Sequence, residues 1–201
     1  MKKIGVYGGS FDPIHLGHIE LAKQARDELG LDKLIFVPVK NQPFKLGQLV
    51  SSEEDRVHML ELAIKGEDGL EISYVELESD DISYTLNTLR KIRKQFTQDT
   101  EIYFILGTDS FLKIEIWHDA PALLTEFSYA IGARPGYREE ELKSCIDHIR
   151  EVYNTTVVLL SNELLPISST EIKERLRDGE KIEKLVPLPV ERYIYENGIY
   201  Q

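Results

Sequence analysis

Short runs of apolar and β-branched residues alternate along the chain with longer stretches whose apolar positions recur every three or four residues. Residues 4–7, 33–37, 71–75, 101–106, 128–133 and 156–160 have the length and composition of strands. Helical spacing predicts helices over 15–29, 52–65, 83–96, 138–153 and 169–177. In the first of these, Leu16, Ile19, Ala22, Ala25 and Leu29 line one face, and Gly30 follows as a stop signal. Several strands are nearly all apolar, which predicts an α/β fold with a parallel sheet covered by helices on both faces. Neither a repeat nor a linker interrupts the pattern, so residues 1–201 are expected to form a single domain. The longest irregular stretch, 38–51, contains Lys40, Phe44 and Lys45 and leaves the end of a strand, where open α/β sheets bind ligands. A solvated connection would look the same.

Composition narrows the class. With 42% hydrophobic and 29% charged residues, and Gly and Pro held to 13 and 8, the chain is neither disordered nor fibrous. A net charge of −11 repels polyanions, which argues against nucleic-acid and membrane-surface binding and requires any phosphate site to be local. The one cysteine, Cys145, has no partner for a disulfide and lacks zinc-site neighbours, which favours a reducing compartment and an inert helix position. Met1-Lys2-Lys3 is not followed by the apolar stretch of a signal peptide, and no run approaches the roughly 20 apolar residues of a membrane helix. A cytoplasmic protein is expected.

Candidate chemistry begins where the first strand ends, in Gly8-Gly9-Ser10-Phe11-Asp12-Pro13-Ile14-His15-Leu16-Gly17-His18. Glycines let the backbone approach a ligand, and the following helix start offers N–H groups, so this turn reads as a phosphate cradle. Its spacing is not Gly-x-Gly-x-x-Gly, which removes support for a hydride-transfer enzyme. His15 and His18, three apart, can face one oxygen-rich ligand, and Gly17 between them removes bulk. Imidazoles can donate to phosphoryl oxygens and stabilise charge developing in a transition state. A metal pair with Asp12, or ordinary helix residues, are the alternatives. A second signal is Ile167-Ser168-Ser169-Thr170-Glu171-Ile172-Lys173: a capping box from Ser168 to Glu171, and equally a receptor for phosphates with Lys173 nearby.

These two stretches together resemble the nucleotidyltransferase superfamily marked by His-x-Gly-His, and more closely its bacterial nicotinate-mononucleotide adenylyltransferases. Ser83-Tyr84-Thr85-Leu86-Asn87-Thr88-Leu89, Gly107-Thr108-Asp109, Trp117 and Arg134-Pro135-Gly136 carry the likeness along nearly the whole chain. The resemblance implies a Rossmann-like nucleotidyltransferase fold. It also implies transfer of AMP from ATP to nicotinate mononucleotide in NAD biosynthesis, with Mg2+ carried by the ATP and no metal held by the protein. On the same basis His18 and His15 would be catalytic. ATP would meet Gly9, Ser10, Phe11, His15, His18, Gly107, Asp109, Arg134, Ser168, Ser169, Thr170 and Lys173. Nicotinate mononucleotide would meet Gly8, Lys45, Thr85 and Trp117. Taken alone, Asp109 could instead cap a helix and Trp117 could be core. Phe44 and Lys173 stand where the family commonly has His and Arg, and Lys loses the planar fork of a bidentate grip. Rival readings are another transferase of this fold, accepting nicotinamide mononucleotide or pantetheine phosphate, a non-catalytic nucleotide sensor, and a metal-dependent hydrolase using Asp12, His15 and His18. Homo-oligomerisation is left open.

Overall fold

The computed structural model describes residues 1–40, 51–78, 84–133, 138–161 and 165–200. Six parallel strands, β1 (Lys3–Gly9), β2 (Lys33–Pro38), β3 (Leu70–Ile72), β4 (Glu101–Gly107), β5 (Ser128–Gly132) and β6 (Val157–Leu159), lie in the order β3-β2-β1-β4-β5-β6. The chain winds outward from β1 in one direction and from β4 in the other. The gap at their carboxyl ends is thus a topological switch point.

Alternation along the strands builds the two cores. Leu34, Phe36, Tyr103, Ile105 and Ala130 face one side, where they meet α1 (Leu16–Leu29), α2 (Glu53–Ile64), α7 (Ser169–Arg177) and α8 (Leu188–Glu196). Ile4, Val6, Ile35, Val37, Ile102, Phe104, Leu106, Tyr129 and Ile131 face the other. There they meet α3 (Thr85–Arg93), α4 (Thr108–Phe111), α5 (Ala120–Glu126) and α6 (Glu139–Tyr153). Every second residue goes to each face and both faces are apolar, which is why the strands read as continuous hydrophobic runs.

All six expected strands are present. The third is shifted: it runs Leu70–Ile72 rather than 71–75, because the chain turns at Tyr74, whose carbonyl accepts from the N–H of Leu77 at 2.9 Å. The five expected helices also form, although Ser83, the start of the third, lies outside the described residues. The spacing did not predict α4, the 3-10 turn Ile114–Ile116, α5 or α8. The first two are too short to show a period. The starts of α5 and α8 carry a proline, tolerated in a first helical turn because the missing N–H has no partner there. On α8, Ile194 and Tyr193 pack against the core, whereas Tyr195 is exposed. Among the described residues no helix is long and apolar enough to cross a membrane.

Candidate active site

The carboxyl ends of β1 and β4, the starts of α1, α4 and α7, and Leu165 enclose a cleft of about 400 Å³ at the switch point. Gly8, Gly9, Ser10, Phe11, His15, His18, Gly107, Asp109, Ser168, Ser169 and Thr170, all expected around the ligands, line it.

The glycine turn is tight. A Cβ on Gly9 would meet the Phe11 ring at 3.0 Å, and Phe11 itself, fully buried, holds a left-handed φ of 48°. A bulky side chain adopts that conformation only where its surroundings enforce it, here edge-on contacts with Tyr7, Phe36 and His18. A Cβ on Gly107 would meet nothing within 4 Å, so its lack of a side chain leaves open space in the cleft wall.

His15 is the N-cap of α1. Its Nδ1 accepts from the His18 N–H at 3.3 Å, and His18 Nδ1 accepts from the His15 N–H at 3.3 Å, a reciprocal capping box made of two imidazoles. The rings stack with centroids 3.6 Å apart and planes 25° apart. Because each Nδ1 is an acceptor, the neutral rings are assigned the Nε2–H tautomer, with a donor at the far edge of each ring. Gly17 permits the stack: a Cβ there would lie 3.1 Å from the His15 ring. The helix start itself offers less than the sequence suggested. The Leu16 N–H goes to the Leu185 carbonyl at 2.9 Å and the His18 N–H to His15, so two of the first N–H groups of the helix are already used, and the imidazoles add donors of their own.

Across the cleft, Ser168 caps α7 by accepting from the Glu171 N–H at 3.1 Å. The other half of the expected box is not made, because the Glu171 carboxylate takes Arg175 at 2.9 Å instead. This cap leaves the N–H groups of Ser169 and Thr170 unused. Ser169 Oγ donates to the Pro13 carbonyl at 3.0 Å, tying α7 to the segment before α1. Lys173, expected on phosphate, reaches behind the cleft wall to buried Asp12, with Nζ 3.1 Å from Oδ2.

Asp109 does not cap a helix: Gly107 is the N-cap of α4 and Asp109 sits in its first turn, exposed at the rim, 3.7 Å from Arg138. Thr85 and Trp117 do not line the cleft, yet their neighbours bring them together, since Tyr84 and His118 stack at 3.8 Å. Trp117 packs edge-on to Phe104, the ring that a Cβ on Gly8 would approach at 3.5 Å, so this second patch adjoins the turn. Lys45 and Arg134 lie outside the described residues. The sequence reading missed Tyr7, 5.9 Å from the His18 ring, and Thr108, both on the cleft wall. Their positions, Tyr7 near the carboxyl end of β1 and Thr108 just beyond that of β4, were the available signal.

Residues 6–175 match the family model described as cytidylyltransferase-like. A probable nicotinate-nucleotide adenylyltransferase of Clostridium botulinum (strain Alaska E43 / Type E3) is 37% identical over all of this chain and 99% of that protein. One from Desulfitobacterium hafniense (strain DSM 10664 / DCB-2) is 38% identical over all of this chain and 96% of that protein. The chain belongs to the cytidylyltransferase-like family and, within it, to the nicotinate-nucleotide adenylyltransferases. Solved structures share the fold: Plasmodium falciparum nicotinic acid mononucleotide adenylyltransferase complexed with NaAD superposes with a TM-score of 0.78 at 21% identity, covering all of this chain and 98% of that one. Its complex with APC gives 0.77 at 20% identity, covering the same shares of each.

Proposed function

We propose that the chain, acting as one nucleotidyltransferase domain, transfers AMP from ATP to nicotinate mononucleotide, forming nicotinate adenine dinucleotide and pyrophosphate. The observation that carries this reading is the stacked His15–His18 pair, with both Nδ1 atoms held by backbone at the switch-point cleft. A 5′-phosphate oxygen of the mononucleotide attacks the α-phosphorus of ATP, a new P–O bond forms, and the bond to the β-phosphate oxygen breaks with its electron pair leaving on pyrophosphate. No enzyme nucleophile is needed, so catalysis is alignment and charge stabilisation. His18 Nε2–H meets charge growing on the α-phosphate. His15 and the start of α7 hold the β- and γ-phosphates, and Asp109 at the rim accepts from a ribose hydroxyl. Thr85 and Trp117 take the pyridine carboxylate and ring beside the turn. Mg2+ arrives on the triphosphate: the cleft wall is rich in N–H, O–H and imidazole donors suited to anions. Formation of nicotinate adenine dinucleotide from the mononucleotide would occur in the cytoplasm, in keeping with the lone Cys145 thiol.

A substrate panel tests this. Purified protein with ATP should release pyrophosphate fastest with nicotinate mononucleotide, more slowly with nicotinamide mononucleotide, and not with pantetheine phosphate. A faster rate with either competitor overturns the acceptor assignment, and nucleotide binding without transfer to any acceptor overturns the enzyme.

A further inference from the structure

Asp12 is 3% exposed, and three other parts of the chain converge on its carboxylate. Oδ1 accepts from the Ser51 N–H at 3.1 Å, the Ser51 hydroxyl at 2.7 Å and the Tyr200 hydroxyl, and Oδ2 takes Lys173. Lys173 Nζ also lies 5.9 Å from the Tyr200 ring centroid. None of these four residues is on the cleft wall. Next to Asp12, the Pro13 carbonyl accepts from Ser169, and the Ser10 carbonyl accepts from the buried Arg56 guanidinium at 2.9 Å. The segment leading into α1 is therefore bonded to α7 twice, by Asp12–Lys173 and Pro13–Ser169.

A buried carboxylate costs more to desolvate than an apolar group, and its partners repay that cost only in one geometry. We propose that Asp12 and Tyr200 are positioning residues: through Lys173 they fix the separation between the imidazole pair on α1 and the hydroxyls on α7. This rests on the adenylyl-transfer reading for its consequence in turnover. Donors at two helix starts must meet one triphosphate as its charge shifts, so loss of the brace impairs the transition state more than ground-state binding. Lys173 then acts through Asp12 rather than on phosphate.

Tyr200→Phe, Lys173→Met, Asp12→Asn and the Asp12→Asn/Lys173→Met double variant separate the roles. Each single variant should lower kcat about tenfold with both KM values within about twofold. The double variant should be no worse than its more severe parent, and Lys173→Arg should retain most of the rate. A rise in KM for ATP in Lys173→Met with kcat preserved, or losses that add in the double variant, would place Lys173 on the nucleotide and overturn the brace. Should Asp12→Asn not fold, Tyr200→Phe carries the test alone. Hydrogen exchange on ligand-free protein is read in parallel: Tyr200→Phe should speed exchange in the first turn of α7. That result stands even if the unaltered chain forms no dinucleotide, which would defeat the reaction but not the brace. Unchanged exchange overturns the brace whatever the reaction, as does a lower Tm with unchanged kcat.

Discussion

Two imidazoles that each cap the other's backbone leave little freedom at the centre of the cleft, and this rigidity is what makes a single donor matter. Removing one preorganised donor to transition-state charge costs about 10²–10³ in kcat. His18→Ala is expected to lose that much while remaining folded and keeping KM for ATP within a few fold. Steady-state kinetics beside far-ultraviolet circular dichroism checks it, and a folded variant with near-native kcat would remove His18 from the chemistry. Gly17 gives a sharper contrast, because its effects on stability and activity have opposite signs. Alanine is the better helix residue by about 1 kcal/mol. Yet its Cβ would press on the His15 ring from 3.1 Å, so the stack must shift. Gly17→Ala should thus keep or raise Tm while kcat falls at least about tenfold. Equal loss of both would mean that the glycine serves packing alone. The likeness around 8–18 gave the residue types, and the glycine between the histidines was legible as removed bulk. That the rings stack over it and cap one another was not, because the side-chain reach of an N-cap is usually assigned to Ser, Thr, Asp or Asn.

At the scale of one element, α7 shows how a cap and an anion site share a helix start. Ser168 accepts from the Glu171 N–H and Ser169 donates to the Pro13 carbonyl, so Thr170, exposed on the cleft wall, is the hydroxyl that takes part in neither the cap nor that tie. Thr170→Ala should weaken ATP several-fold more than AMP in calorimetric titration. Ser168→Ala should instead cost about 1 kcal/mol of stability, lowering Tm by about 2–4 °C, with equal small changes for the two nucleotides. Equal losses in both variants would reduce the whole start to capping. The hydroxyl run and its spacing were readable in sequence; their division of labour was not, since it depends on what Pro13 and Glu171 do in three dimensions. Lys173 illustrates the same limit. Its place one turn into the helix fits a phosphate ligand, and its contact with Asp12, 161 positions away, was not legible in the spacing.

For the whole molecule, periodicity revealed the layers because both faces of the sheet are buried, whereas α8 and its closing turn escaped notice. Their role is long-range: Tyr193 donates to Asp55 at 2.8 Å on α2, and Tyr200 reaches Asp12. The segment after α7 is thereby tied to α2 through Asp55 and to the first turn through the Asp12 carboxylate. Burial alone would raise the Asp12 pKa, but the hydrogen bonds from Tyr200, from the Ser51 hydroxyl and N–H, and from Lys173 outweigh it and hold the carboxyl below its ordinary value. Among the described residues Arg56 also lies beside this network, and its field acts on Tyr200. A carboxyl with a lower pKa folded than unfolded binds fewer protons in the native state. Its stabilisation is complete above the unfolded value, near 4, and drains away as the pH falls through the folded value. Asp12→Asn removes that contribution. Its Tm at neutral pH should lie below that of the unaltered chain, and the two curves should converge on acidification below about pH 4 as the native carboxylate is protonated. Thermal unfolding from pH 7 to pH 2.5 measures it, and curves that stay parallel throughout would mean that Asp12 carries no linked proton.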